Sequence, residues 1–191
     1  MHPDSRVLSL AELAKRIERT SDVPNQRIVI TIDGPAGTGK TTLAQQLSEL
    51  LSNAPVVHMD WLYAGWKNAL EADLWKRLER GILNPWLQGE SATFETFDWQ
   101  TETFAHHETI QPHRALIVEG VGASHPLIRQ YATLSIWVEA PDELLLDRVL
   151  NRDGEHLRDH MLIWQQDEWD YFEQHDIRGN SDVIYVGMNR D

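Results

Sequence analysis

The sequence predicts one α/β domain in three layers (α/β/α), with helices on both faces of a mostly parallel five-stranded sheet. Three observations predict it. Short β-branched apolar runs alternate with helix-patterned stretches along the chain. The first run, Arg27 to Ile32, is nearly all apolar, as a strand buried on both faces must be. A glycine-rich loop joins that strand to a helix.

The elements follow in order. Ser9 to Arg19 reads as a helix: Leu10, Leu13, Ala14 and Ile17 recur at i, i+3, i+4, i+7, and Ser9 with Glu12 makes a capping box. TSDVPNQ breaks it, so residues 1–24 read as an N-terminal helix and linker. After the first strand and the glycine loop, a helix runs from about Lys40 to Leu51. Pro55 to Met59 is the second strand, ending at Asp60, and WLYAGWKNAL after it is an aromatic, glycine-broken loop. Glu71 to Arg80 is helix-patterned and Gly81 should stop it. Between Ile82 and Pro112 the pattern is poor: NPWLQGE is turn-like and ATFETFDW is an extended piece. Ala115 to Val118 is the third strand, running into EGVG, and Leu134 to Val138 is the fourth. Pro141 and Asp142 open a helix to about Leu150, with proline where its missing N–H costs nothing. Asn151 to Gly154 interrupts it, a long helix continues to about His175, and Asp182 to Val186 is the fifth strand. Ligands of such a sheet bind at the C-terminal ends of its strands.

Composition narrows the chemistry. Apolar residues at 41% and charged residues at 25% exclude a disordered or fibrous chain. The net charge of −13 repels phosphate backbones and anionic lipids, which argues against nucleic-acid or membrane binding as the main activity. Without cysteine there is no disulfide, thiolate metal site or cysteine nucleophile. No apolar stretch has signal-peptide length or nears the ~20 residues of a membrane span, so a reducing cytoplasm is expected.

Gly34, Pro35, Ala36, Gly37, Thr38, Gly39, Lys40 and Thr41 fit G-x-x-x-x-G-K-[ST], the P-loop pattern, with the required strand before and helix after. Glycines let the backbone fold into a nest whose N–H groups point at phosphate oxygens. The following helix adds its positive N-terminal dipole. Lys40 reaches the β- and γ-phosphates, the Thr41 hydroxyl ligates Mg²⁺, and the expected nucleotide contact runs on to Thr42. ATP and Mg²⁺ are the predicted cofactors, and this loop is the local positive charge that an acidic molecule needs to hold a polyphosphate.

Asp60 and Glu119 follow the second and third strands and should stand beside the loop. One carboxylate there can hold Mg²⁺ through water and the other can accept a proton from an attacking hydroxyl; the residues alone leave open which does which. A GTPase should show N-K-x-D, which is absent, and the one D-x-x-G, Asp176 to Gly179, follows a late helix. The length argues against a motor or an AAA-type ATPase. A small kinase remains.

Strand and P-loop followed by VVHMDWLYAGW, FDW, LIVEGVGA and DRVLNRD resemble the P-loop nucleoside kinases of the uridine kinase type, over about Ile28 to Val186. The H-x-D-x-x-Y-x-G-W segment, His58 to Trp66, resembles that of small bacterial uridine kinase-like proteins. The resemblance implies a P-loop NTPase fold with a small helical lid at 148–160 and an acceptor-binding insertion at 60–114. It implies that Asp60 is the general base on a sugar hydroxyl, that Tyr63 is the aromatic partner of the same segment, and that Thr41 and Glu119 form the magnesium site. Arg148 and Arg152 correspond to the R-x-x-x-R-D lid that closes over the transferring phosphate, with Asn151 to Gly154 as a hinge. Phosphoryl transfer needs such charge neutralisation and exclusion of water. One departure is plain. Uridine kinases carry a histidine–arginine pair that reads the pyrimidine, whereas here QTETFAHHET displaces the histidines to 106 and 107 and no arginine precedes Arg114. Asp98 remains a candidate for sugar hydroxyls.

Of eight tryptophans, Trp61, Trp66, Trp86 and Trp99 cluster with Tyr63 in the acceptor region, as stacking faces or as a small core under an irregular loop. Asp60, Tyr63, Trp66, Asp98 and Trp99 are the expected substrate contacts. Trp164 and Trp169 read as core, and His156 and His160 as an exposed helix face rather than a metal pair. The expected function is an ATP-dependent kinase of a small molecule, most simply a nucleoside. A sugar acid, vitamin precursor or nucleotide acceptor, or an ATP-binding regulator with slow hydrolysis, is the alternative. The oligomeric state is open, homodimer included.

Overall fold

The computed structural model describes residues 6–20 and 26–187. Every residue of β1 (Ile28–Asp33) is buried, as its unbroken apolar run demands. With β2 (Val56–His58), β5 (Ala115–Glu119), β6 (Leu134–Glu139) and β7 (Val183–Val186) it forms one parallel sheet in the order β2-β5-β1-β6-β7. Ile28 pairs with Ala115, Ile30 with Leu134, Val56 with Ile117 and Ile136 with Val183. Alternate residues face opposite layers. Ile28, Ile30 and Ile32 pack with Leu13 and Ile17 of α1 (Leu10–Thr20) and with Leu43 and Leu47 of α2 (Lys40–Leu50). Val29, Leu116, Val118, Trp137 and Ile184 pack on the other side. That layer holds α3 (Ala72–Leu78), α4 (Asn84–Gln88), α5 (Pro126–Arg129), α6 (Asp142–Asp153) and α7 (Arg158–His175). The predicted α/β/α architecture is therefore present.

The capping box of α1 forms: Ser9 Oγ donates to Glu12 Oε2 at 2.6 Å and the Ser9 N–H donates to the same oxygen at 2.9 Å. Residues 6–8 also lie along β7, with Val7 bridged to Ile184, a pairing the sequence does not announce. Most of the predicted TSDVPNQ break lies outside the described residues.

Gly81 does not stop its helix. α3 passes through a π turn, Glu79–Leu83, into α4 and ends at Gly89, whose φ of 92° is left-handed. A mid-helix glycine costs roughly 1 kcal/mol against alanine. Full burial of Leu78, Ile82, Leu83 and Trp86 returns about 1.5–3 kcal/mol each, so burial wins. NPWLQGE is thus helix rather than turn, with Pro85 in the first turn of α4. ATFETFD is strand β3 (Ala92–Asp98), and it pairs antiparallel with β4 (Thr103–Ile110) in a separate hairpin. β4 is exposed along nearly its whole length, which is why its sequence carries no apolar alternation. The break in the C-terminal helices is narrower than predicted: α6 runs through Asp153, and only Gly154 (φ 111°) and a short 3₁₀ turn separate it from α7. Among the described residues no helix is long and apolar enough to cross a membrane.

Candidate active site

The loop after β1 is pressed against two neighbours. A Cβ on Gly34 (φ 139°) would stand 2.2 Å from the Val138 carbonyl oxygen, and one on Gly37 (φ 84°) 2.5 Å from that of Leu145. Glycine is required at both on grounds of space and of backbone angle. Lys40 is buried and its Nζ donates to the carbonyls of Gly34 (2.7 Å) and Pro35 (2.8 Å), while the Thr38 hydroxyl donates to Pro35 at 2.8 Å. Under the loop, the fully buried Asp33 accepts from the backbone N–H groups of Gly34 (2.8 Å), Ser124 (2.9 Å) and Gly122 (3.2 Å). Burial pushes its carboxyl up to about 6, against the pull of those amides and of Lys40. Glu168, fully buried on α7, accepts from the Ala36 N–H at 3.1 Å, and burial pushes it up to about 7.

The predicted metal residues meet. The Thr41 hydroxyl donates to Glu119 Oε1 at 3.0 Å, and His58 Nδ1 lies 2.5 Å from the same oxygen. That bond raises the His58 pKa, desolvation opposing it. A hydroxyl and a carboxylate are the hard oxygen donors Mg²⁺ takes, with water and phosphate filling its remaining positions. No larger group of His, Asp and Glu among the described residues could hold a metal. The donor set therefore fits a phosphate-borne Mg²⁺, and the loop amides with Lys40 fit the polyphosphate itself.

Asp60 sits on a 3₁₀ turn, Met59–Trp61, rather than at the strand end. Solvent still reaches it, yet crowding by the cleft walls and then the charge of Glu119 raise its pKa, with Lys40 and Arg152 pulling the other way. Among the described residues its carboxylate accepts no hydrogen bond. Arg152 pairs with Asp153 at 2.6 Å and its charge reaches Asp60 and Glu119, while Arg148 Nη1 donates to the Gly37 carbonyl at 3.3 Å.

One cleft of about 640 Å³ joins these groups to an aromatic wall made of Tyr63, Trp66, Trp99 and Trp164. Tyr63 is buried and its hydroxyl is already committed, donating to the Val121 carbonyl at 2.8 Å. Its ring meets those of Trp164 at 5.5 Å and Trp99 at 6.5 Å. Trp66 lies 5.1 Å from Trp99 and stacks on His160 at 5.3 Å, so His160 joins the wall rather than a metal.

Of the expected site residues, the structure brings Lys40, Thr41, Thr42, Asp60, Tyr63, Trp66, Trp99, Glu119, Arg148 and Arg152 together around that cleft, with 36–39 of the loop. It does not bring Asp98 there. That carboxylate accepts from the N–H groups of Gln100 (2.8 Å) and Thr101 (3.3 Å) in the hairpin turn, with His106 3.4 Å away. Trp61 packs on His58 and Phe94, and Trp86 is fully buried core. Trp169, expected in the core, is 40% exposed. Three residues at the site were missed. Asp33 gave a signal, an acid ending a buried strand directly before the loop; His58 gave one only within its motif. Glu168, far along the chain on a helix of low amphipathicity, gave none.

A family model described as AAA domain matches residues 30–173. That overturns the length argument against an AAA-type protein. No curated protein matches. Among solved structures, a protein named as a possible uridine kinase from Bacillus stearothermophilus superposes with a TM-score of 0.66 at 21% identity, covering 92% of this chain and 96% of its own. A candidate fructose transport system kinase from Silicibacter sp. TM1040 gives 0.60 at 21% identity, with 93% and 98% covered. Shikimate kinase from Bacteroides thetaiotaomicron gives 0.50 at 16%, with 85% and 89% covered. At these identities the likeness establishes the fold, that of the P-loop kinases the motifs resemble.

Proposed function

The chain belongs to the AAA domain family, and from that premise we propose that it is an ATP-dependent phosphotransferase, moving the γ-phosphate of Mg-ATP to a hydroxyl of a small molecule. The observation that carries the proposal is the single cleft in which a phosphate loop, a carboxylate without a hydrogen-bond partner among the described residues, two arginines and an aromatic wall lie together. The names of the three similar structures, all kinases of small molecules or named as such, support it.

In this proposal the loop amides and Lys40 hold the polyphosphate. Bound Mg²⁺ supplies charge neutralisation, held by Thr41 and Glu119. With Glu119 occupied by Thr41 and His58, Asp60 is the carboxylate available to take the acceptor's hydroxyl proton, and its raised pKa makes it a better base. Arg148 and Arg152 stabilise the migrating charge, and their helix with the 3₁₀ turn after it forms the lid. Tyr63, Trp66 and Trp99 face the acceptor, for which a nucleoside is the first candidate because a flat base suits aromatic faces. Asp98 turned into its hairpin, and the missing histidine–arginine pair, favour testing sugar acids, vitamin precursors and nucleotides as well.

Coupled ADP-release assays against a panel of these acceptors test the proposal. Acceptor-dependent turnover is expected, and Asp60→Asn should lower it by roughly 10²–10⁴-fold. Nucleotide binding that no acceptor accelerates would instead indicate a slow, regulatory ATPase.

A further inference from the structure

Glu168 has no part in the chemistry above, yet it is a wholly buried carboxylate bonded to the phosphate loop. It reaches the loop from α7, the helix that also puts Trp164 and His160 on the aromatic wall and the Tyr171 hydroxyl 3.4 Å from Asp33. Its Oε2 and Oε1 stand 3.1 and 3.4 Å from the amide nitrogen of Ala36, and Ala36 lines the cleft. The groups facing the carboxylate are few. Lys40 of α2 favours its charge, as do the Ala36 amide and the indole of Trp164. Asp33 at the end of β1 opposes it, and its own charge bears on Tyr63. Thus one ammonium, Lys40, offsets two buried carboxylates, and the same ammonium is the cation the loop offers to a polyphosphate.

We infer that Glu168 is a positioning residue of the phosphate loop, acting through the Ala36 amide, and that binding of a nucleotide polyphosphate takes up one proton from solvent onto its carboxylate. This rests on the proposed nucleotide binding by the loop. The physical reason is competition. An incoming phosphate adds negative charge beside Glu168 and draws Lys40 away from it, so the ionised form loses its support just as its repulsion grows. The protonated form keeps a carbonyl oxygen for the Ala36 N–H and gives up only the charge. Protonation sits close to neutrality already, at about 7. The sign follows. If the bound state raises that value, nucleotide affinity is full at low pH and falls as pH rises through about 7.

The test is calorimetric titration of the full chain with Mg-ADP and with a non-hydrolysable Mg-ATP analogue. Buffers of differing ionisation enthalpy are used from pH 6 to 8.5, on wild type and Glu168→Gln. Wild type should take up about half a proton more than Glu168→Gln near pH 7, nearing one at pH 8. Its affinity relative to that variant should fall by up to about tenfold per pH unit above 7. The nucleotide's own titration is common to both and cancels. Glu168→Asp, which keeps a titrating group but shortens its reach to Ala36, should retain uptake with weaker binding, and the wild-type uptake at pH 8 decides the question should the glutamine variant fail to fold. Equal proton uptake and parallel pH profiles for wild type and Glu168→Gln, or no uptake by wild type at pH 8, overturn the inference alone. No nucleotide binding by wild type at all sinks the proposed loop function, and the inference with it.

Discussion

Lys40 shows how much one side chain decides here. It is buried, bonded to two loop carbonyls and close enough to influence Asp33, Asp60 and Glu168. Lys40→Ala should weaken Mg-ATP binding by at least about tenfold, since charge-assisted contacts to phosphate are worth roughly 1.5–3 kcal/mol; fluorescence titration of the cleft tryptophans measures it. In the proposed base role Asp60 has to be ionised to accept a proton, so kcat/KM should rise with pH along an acid limb set above the ordinary aspartate value of 3.8, and Asp60→Asn should abolish that limb. The placement of Lys40, Thr41, Asp60 and Glu119 around one cleft is legible in the sequence because each is spaced from a glycine loop or a strand end. Asp98, an expected substrate contact, lies away from the cleft because amides two and three residues along the hairpin turn hold its carboxylate, a local bonding that spacing alone does not reveal. Glu168 was invisible because only the docking of α7 under the loop gives it a partner.

At the scale of elements, the phosphate loop and the π-interrupted helix make the sharpest contrast. The loop was fully legible: its glycines are compelled by the approach of Val138 and Leu145 and by left-handed angles. Gly34→Ala should therefore lose nucleotide binding and lower the thermal midpoint of unfolding, where the same change at an exposed loop position would be neutral. The second-layer helix was not legible, because Gly81, Pro85 and Gly89 all read as stop signals and only packing selects the last. Trp86 is the anchor of that packing, wholly buried with the Arg27 guanidinium over its ring at 5.3 Å. Trp86→Ala should destabilise the fold by about 3–5 kcal/mol in urea denaturation. A change of under about 1 kcal/mol would mean that the segment is held by something else.

Across the whole molecule, an acidic chain of net charge −13 sets three cations, Lys40, Arg148 and Arg152, around one cleft. The three-layer architecture does this by bringing the loop, the residues after β2 and β5, and α6 to the C-terminal ends of the parallel strands. The same architecture buries two acids there. A carboxyl moved from 4.5 to about 7, as at Glu168, favours the protonated fold: its penalty is absent below 4.5, grows to about 7 and is constant above. Asp33, moved from 3.8 to about 6, adds in the same direction. Stability should thus fall as pH rises from about 4.5 to 7, and Glu168→Gln should recover up to about 3 kcal/mol of it at pH 8, read from denaturation midpoints at the two pH values. The alternation of strands and helices made the architecture legible. The cleft was only half legible, because its aromatic wall is assembled from the Tyr63 turn, the hairpin and α7, and no periodicity relates them.

In the proposed function the Gly34–Thr41 loop grips a nucleotide triphosphate through backbone amides, Lys40 and a metal. Calorimetric titration of Mg-ATP into wild type and Lys40→Ala tests it most directly. Wild type should bind saturably and with magnesium dependence at one site per chain, and the variant at least about tenfold more weakly. Wild type giving no heat at millimolar Mg-ATP, or the two proteins binding alike, would contradict it.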